Sequence, residues 1–93
     1  MYEYQASDIA ELFKSFADAT RIRILLALFE TEKNVSEIVA AVGVSQTAVS
    51  HHLRALRQRH LVKCRRDGKQ IIYSLADDHV KTIIRTAVEH IEE

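Results

Sequence analysis

The sequence predicts a mostly α-helical domain with one small β-hairpin, in the order ααααββα. Three observations support this fold class. Apolar residues recur at helical spacing over most of the chain, and the period changes to that of short strands after Leu61. An Asp-Gly pair, Asp67-Gly68, lies between the two strand-like segments and is a strong hairpin signal. The chain has no proline and only two glycines, which suits helices with few sharp corners.

Length and composition predict a single cytoplasmic domain spanning residues 1–93. A chain of 93 residues is enough for one domain, and it has no run of about 18 apolar residues to cross a membrane. The first ten residues lack the basic start and apolar core of a secretory signal. Cys64 is the only cysteine, so no internal disulfide is expected.

The first two helices are predicted from apolar residues spaced at i, i+3, i+4 and i+7. The first is expected from about Ser7 to Ala17, with Ser7 as its N-cap. The second is expected from Asp18 to Phe29. The polar segment Thr31 to Asn34 breaks the pattern and is expected to be a loop.

The third and fourth helices, with the tight turn between them, are typical of a helix-turn-helix. Ser36 is placed to cap the third helix, Gly43 to end it in a left-handed turn, and Ser45 to cap the fourth. In this motif the second helix can enter the DNA major groove. Its side chains outside the buried stripe are short, amide-bearing or basic, which suits bases and phosphates, although they could simply form a polar helix face. These residues are Gln46, Thr47, Ser50, His51 and Arg54.

Basic residues concentrate in one part of a chain whose formal net charge is +0. Seven arginines and lysines but only one acidic residue lie between Thr47 and Lys69. Arg65, Arg66 and Lys69 are predicted near the hairpin tip, where they can hold phosphates or reach a minor groove. A solvated basic surface is the alternative, but a basic hairpin directly after a helix-turn-helix favours a winged helix-turn-helix that binds double-stranded DNA.

The last helix, predicted from about Asp77, carries four residues of the types that bind zinc. They are Asp77, His79, His90 and Glu93. The two histidines are eleven positions apart, so they lie nearly on one line along the helix but roughly 16 Å apart. One ion therefore cannot join them within a chain. Two such helices packed antiparallel would bring the ligands at opposite ends together, twice per dimer. The alternative is an ordinary capped, solvated helix.

Three segments resemble the ArsR/SmtB family of metal-sensing repressors. Phe16 to Leu25 is similar to the family's second helix, and Ser45 to Leu53 followed by Leu56 is similar to its recognition helix. Leu61-Val62, Arg66 to Lys69 and Tyr73 to Leu75 resemble its wing. The resemblance covers the chain from Leu12 onward. It implies a homodimer joined through the first and last helices, with Gln46, Thr47, Ser50 and His51 facing DNA.

The resemblance also bears on the last helix. A subset of this family carries an Asp-x-His and a His-x-x-Glu or His-x-x-His pattern that together form an inter-chain zinc site. Asp77 to His79 and His90 to Glu93 fit these patterns. Glu92 or the terminal carboxylate could take the place of Glu93. No cysteine lies in the third helix, so a site for soft, thiolate-binding metals is not expected.

These observations predict a metal-responsive repressor rather than an enzyme. The metal-free dimer is expected to bind operator DNA, and zinc is expected to lower that affinity and derepress metal-resistance or efflux genes. Cobalt and nickel accept the same ligand types. The alternative is a metal-independent winged-helix regulator controlled by a partner or by oxidation of Cys64. No catalytic constellation, and hence no small-molecule substrate, is predicted.

Overall fold

The computed structural model describes the backbone of residues 3–93 and the side chains from Gln5 onward. Its elements run in the order α1 (Glu3–Phe16), α2 (Ala19–Glu30), β1 (Lys33–Asn34), α3 (Val35–Val42), α4 (Gln46–Gln58), β2 (Val62–Asp67), β3 (Gln70–Leu75) and α5 (Asp78–Glu92). This agrees with the predicted winged helix-turn-helix order, with one added strand. Residues 1 and 2 of the predicted 1–93 domain lie outside the described part.

Four of the helices begin at a capping side chain. Asp18, Ser45 and Asp77 each accept a hydrogen bond from a backbone N–H three residues later. At α3 the predicted cap, Ser36, is wrong: Asn34 caps the helix in a reciprocal pair of hydrogen bonds with Glu37, each 2.8 Å long. A glutamate three residues after Asn34 completes this capping box, whereas Ser36 lies within the first turn.

The predicted start of the first helix is also wrong. Helix α1 begins at Glu3, and Ser7 lies inside it rather than at its N-cap. Between Glu3 and Ser7 no glycine or proline stops the helix, so the hydrogen-bonded turns continue toward the N-terminus. Of the apolar residues whose spacing located the helix, Leu12 and Phe16 pack against the core, whereas Ile9 and Phe13 are exposed.

The two glycines lie where the backbone turns sharply. Gly43 ends α3 with φ 77°, and its N–H donates to the carbonyl oxygen of Val39 at 2.8 Å. Gly68 has φ 64° between β2 and β3, which pair from Val62 opposite Leu75 to Asp67 opposite Gln70. Both positions are in the left-handed region that glycine adopts without a steric penalty. The predicted turn and hairpin are confirmed.

The segment expected to be a loop contains a third, two-residue strand. Lys33 and Asn34 pair with Tyr73 and Ile72, so the sheet is antiparallel with strand order β1-β3-β2. Lys33 also donates from Nζ to the carbonyl oxygen of Ala27 at 2.7 Å, at the C-terminal end of α2. Through β1, these contacts fasten the middle of β3 to the end of α2.

One apolar core joins the helices to the hairpin. Residues of α2, α3, α4, both hairpin strands and α5 contribute to it. The recognition helix, α4, and the wing, the hairpin of β2 and β3, therefore pack on the same core. The core residues are Ile24, Leu25, Leu28, Ile38, Val49, Leu53, Leu56, Leu61, Val62, Leu75, Val80 and Ile84.

The cap at α2 gives a testable pH dependence. The hydrogen bond from the backbone N–H of Arg21, 3.0 Å long, holds the pKa of the Asp18 carboxyl below its ordinary value. A lowered pKa in the folded state adds stability above the ordinary pKa of about 4, and this is lost as pH falls through the folded value. We expect Asp18→Asn to lower the melting temperature at pH 7, and the difference from wild type to shrink as the pH falls below about 4.

Thermal unfolding followed by circular dichroism between pH 7 and acidic pH measures this effect. Asp8→Asn is the matched control, because Asp8 is exposed and lies within α1 rather than at a cap. A difference between Asp18→Asn and wild type that stays constant over the whole pH range contradicts the prediction.

Candidate nucleic-acid interface and metal ligands

The recognition helix α4 divides into a buried and an exposed side. Val49, Leu53 and Leu56 are almost fully buried and fix the helix on the core. The N-cap Ser45 accepts from the backbone N–H of Ala48 at 3.1 Å and so defines where the helix begins. The five residues predicted to face DNA are all exposed. They are Gln46, Thr47, Ser50, His51 and Arg54.

Of the three basic residues predicted near the hairpin tip, two have no hydrogen-bond or ion-pair partner among the described residues. Arg66 and Lys69 are exposed, and neither makes a hydrogen bond or ion pair with the described part of the chain. Arg65 differs: its Nη2 donates to Oε1 of Glu32 at 2.6 Å, and this hydrogen bond raises the pKa of the guanidinium. Arg65 is thus held within β2 by Glu32, whereas Arg66 and Lys69, which lie next to the turn, have no partner among the described residues.

At the start of α5, the predicted metal ligands Asp77 and His79 lie side by side. Oδ1 of Asp77 accepts from the backbone N–H of Val80 at 3.1 Å and lies 3.7 Å from Nδ1 of His79. The His79 side chain is 95% exposed. Asp77 is therefore both the cap of the helix and half of an exposed carboxylate–imidazole pair.

A second such pair lies at the other end of the helix. Nδ1 of His90 is 3.1 Å from Oε2 of Glu93, and both side chains are exposed. The length of α5 separates this pair from Asp77 and His79. Across residues 3–93, no three histidine, cysteine or acidic side chains come together in a metal-binding group. Within one chain the four residues thus form two separate pairs.

An uncovered apolar groove lies between α1, α2 and α5. It has a volume of about 380 Å³, and its lining is entirely apolar. Phe13 is 56% exposed and Ile91 is 81% exposed, which is unusual for such large side chains. The lining residues are Phe13, Phe16, Ile22, Leu26, Ile83, Ile84, Ala87, Val88 and Ile91.

Comparison with known proteins places the chain among bacterial regulators. The profile of the bacterial regulatory proteins of the arsR family matches residues 18–63, from the cap of α2 into β2. The transcriptional repressor SmtB homolog of Synechocystis is 46% identical over 89 residues, covering 96% of this chain and 67% of the relative. The chain belongs to the ArsR family. It is a winged helix-turn-helix transcriptional regulator, of a family that binds DNA.

A second sequence relative and a solved structure are also similar to this chain. The cadmium resistance transcriptional regulatory protein CadC homolog of Staphylococcus aureus is 38% identical over 87 residues, covering 92% of this chain and 72% of the relative. The crystal structure of Rv0081 from M. tuberculosis has a TM-score of 0.91 at 34% identity, covering 98% of this chain and 92% of that one. This chain spans about two thirds to three quarters of the length of these two sequence relatives.

A second solved structure bears on assembly. The homodimeric winged helix-turn-helix DNA-binding domain of Mb0332 from Mycobacterium bovis has a TM-score of 0.87 at 28% identity, covering 100% of this chain and 89% of that one. Among the described residues of this chain, no helix is long and apolar enough to cross a membrane.

Two contacts between distant parts of this ArsR-family chain hold the recognition helix, and no sequence pattern predicted them. Nε of Arg21 on α2 donates to Nδ1 of His52 on α4 at 3.2 Å. Nη2 of Arg59, just after α4, donates to Oε2 of Glu11 on α1 at 3.2 Å. Thirty-one and 48 positions separate the partners, so no helical spacing could have indicated either contact. Both join α4 to the helices that line the apolar groove.

Proposed function

We propose that this chain is a metal-responsive transcriptional repressor that acts as a homodimer. The observation that carries the proposal is the division of four metal-ligating side chains into two exposed pairs at opposite ends of α5, beside the apolar groove. Each pair can supply half of a four-ligand site. Regulators named for SmtB and for cadmium resistance are among its relatives, which supports the metal response.

The apolar groove is the proposed dimer interface. Its lining carries no polar surface, and its most exposed side chains, Phe13 and Ile91, are better buried than hydrated. It is built from α1, α2 and α5, so a twofold contact there joins the same helices of both chains. The Mb0332 domain, which shares this fold and is homodimeric, supports a dimer.

The donor set fits zinc at the inter-chain positions. Two imidazoles and two carboxylates are ligands that zinc accepts, and four is its usual number in protein sites. Asp77 and His79 of one protomer would hold the ion with His90 and Glu93 of the partner subunit, with Glu92 as the substitute for Glu93. Oδ1 of Asp77 already accepts from Val80, so Oδ2 remains for coordination and the helix cap is kept. When bound, zinc supplies a cross-link between the two α5 helices.

The proposed DNA-binding face is the exposed side of α4 together with the tip of the wing. Gln46, Thr47, Ser50, His51 and Arg54 of each protomer face the operator, with Arg66 and Lys69 on the flanking phosphates. Arg65 joins them only by giving up its 2.6 Å contact with Glu32. A dimer reads two half-sites, so its affinity depends on the distance and angle between the two α4 helices.

The proposed switch is a change in the relative placement of the two protomers. Cross-linked α5 helices hold one arrangement of the dimer, and the contacts of Arg21 and Arg59 transmit that arrangement to α4. The cross-linked arrangement disfavours the spacing that the operator requires, so repression is relieved. By linkage, operator DNA must weaken metal binding by the same factor.

Fluorescence anisotropy tests this function with a duplex that the metal-free protein has selected from a random pool. We expect zinc to lower the affinity of wild type by roughly 5- to 150-fold, the usual range of allosteric coupling. His79→Ala and His90→Ala are expected to bind the metal-free duplex normally and to lose the zinc effect. Asp78→Asn is the control, since it removes an exposed carboxylate of the same helix that lies outside the proposed set.

The outcomes separate the parts of the proposal. Zinc binding with no change in operator affinity would disprove the switch while keeping the site. A zinc effect that survives in both histidine variants would disprove the site. If zinc has no effect on wild type and cobalt and nickel also fail, the protein is a DNA-binding regulator whose signal is not a metal at α5.

A further inference from the structure

A cleft of mixed polar and apolar lining separates the recognition helix from the wing. Its volume is about 580 Å³, and it is lined by Ser50, Leu53, Arg54, Arg57, Gln58 and Tyr73. Five residues come from α4 and one from the middle of β3, so the two elements that touch DNA form its two walls. Neither Arg57 nor Tyr73 belongs to the predicted DNA-facing set.

The cations of this region divide into paired and unpaired groups. Arg59 and Arg65, which lie outside the cleft, are bound to Glu11 and Glu32. Arg54 and Arg57 line the cleft, and neither has a hydrogen bond or ion pair within the described part of the chain. The acidic side chains thus neutralise cations around the cleft and leave its own two charges unpaired. Both residues are exposed, and unpaired guanidinium groups that line a cleft together are suited to bind an anion.

Helix α4 and strand β3 determine the positions of the side chains that line the cleft. Ser50, Arg54 and Arg57 are spaced at i, i+4 and i+7, so they form one stripe along α4. Tyr73 lies on the central strand, where its neighbours in register are Lys33 on β1 and Cys64 on β2. Its hydroxyl makes no hydrogen bond with the described residues. The wing side of the cleft is therefore lined by a tyrosine that a three-stranded sheet holds and whose hydroxyl has no partner among the described residues.

We propose that this cleft binds a backbone phosphate of the DNA duplex, held by Arg54, Arg57 and the hydroxyl of Tyr73. The proposal rests on the DNA-binding part of the proposed function. A helix in the major groove and a wing in the neighbouring minor groove straddle the sugar–phosphate strand that separates the two grooves. Whatever lines the space between helix and wing then faces phosphates rather than base edges. Arg57 and Tyr73 thus contribute affinity that does not depend on sequence.

Salt-dependent binding measurements test this assignment. We expect Arg57→Gln to weaken binding roughly tenfold, by a similar factor on the selected duplex and on a scrambled one, since a charged hydrogen bond is lost. The slope of log affinity against log salt should fall by about 0.9 for each lost phosphate contact. Arg57→Lys should keep most of the slope. Tyr73→Phe should weaken binding less and leave the slope unchanged, because no charge is removed.

Arg23→Gln is the matched control, because it removes the same charge from an exposed position of α2 outside the cleft. If Arg57→Gln behaves like Arg23→Gln, the cleft does not hold a phosphate. If its effect is confined to the selected duplex, Arg57 reads bases and the proposal is also overturned. Failure of wild type to bind any duplex would instead remove the proposed function itself. Thermal unfolding of each variant checks that the fold is kept.

Discussion

Phe13→Asp is expected to leave the protein monomeric at concentrations where wild type is a dimer. Phe13 is 56% exposed in one chain and lines the apolar groove. In a twofold interface each substitution occurs twice, so two aromatic rings are lost and two carboxylates face an apolar surface. We expect the dimer dissociation constant to rise more than about 100-fold, which corresponds to about 2.7 kcal/mol. Sedimentation equilibrium measures it directly.

The same variant should bind its operator far more weakly, because a monomer reaches only one half-site. Ala40→Asp is the control, since it places the same charge at an exposed position of α3 outside the groove. Phe13→Leu should keep the dimer. An unchanged dissociation constant for Phe13→Asp would mean that the protomers associate through another surface, and the proposed inter-chain zinc site would then lose its geometric basis.

Leu53→Ala is expected to lower the free energy of unfolding by about 2–5 kcal/mol, the usual cost of removing a buried leucine side chain. Leu53 is 1% exposed and lies in the core shared by the recognition helix and the wing. Many domains have only about 5–15 kcal/mol of stability, so this is a large loss. Urea unfolding at one fixed protein concentration measures it, because the stability of a dimer depends on concentration.

Thr47→Ala is the control for this effect. Thr47 is exposed on the opposite side of α4, and its substitution should change stability by less than about 0.5 kcal/mol. A loss below about 1 kcal/mol for Leu53→Ala would contradict the close packing of α4 on the core. The comparison separates the burial of the recognition helix from its contacts with DNA.

Local signals account for what the sequence predicted correctly. The stripe of Val49, Leu53 and Leu56 located α4 because burial imposes the helical period. Asp67-Gly68 located the hairpin because a positive φ is needed at the turn, and Gly68 supplies it. The proximity of Asp77 to His79 and of His90 to Glu93 also follows from short spacing along the chain, whereas their binding of a metal stays a prediction.

Features that depend on distant partners could not be predicted in this way. Strand β1 has only two residues, so it shows no alternation, and it exists because β3 pairs with it about 40 positions later. The contacts of Arg21 with His52 and of Arg65 with Glu32 likewise join distant segments. The meeting of the two α5 ligand pairs remains a prediction, because it requires a second chain.

The separation of the ligand pairs by the length of α5 has a consequence for how the protein measures metal. For the proposed site, a lone protomer offers two ligands at each end of the helix, which is half of a site. Metal binding and protomer association are then coupled by mass action: each ion strengthens the dimer, and dilution of the protein weakens capture of the ion. The metal concentration at which the regulator responds would therefore rise as the protein becomes scarce. A cell could set the threshold of such a sensor through the number of copies it makes, without changing any residue of the site.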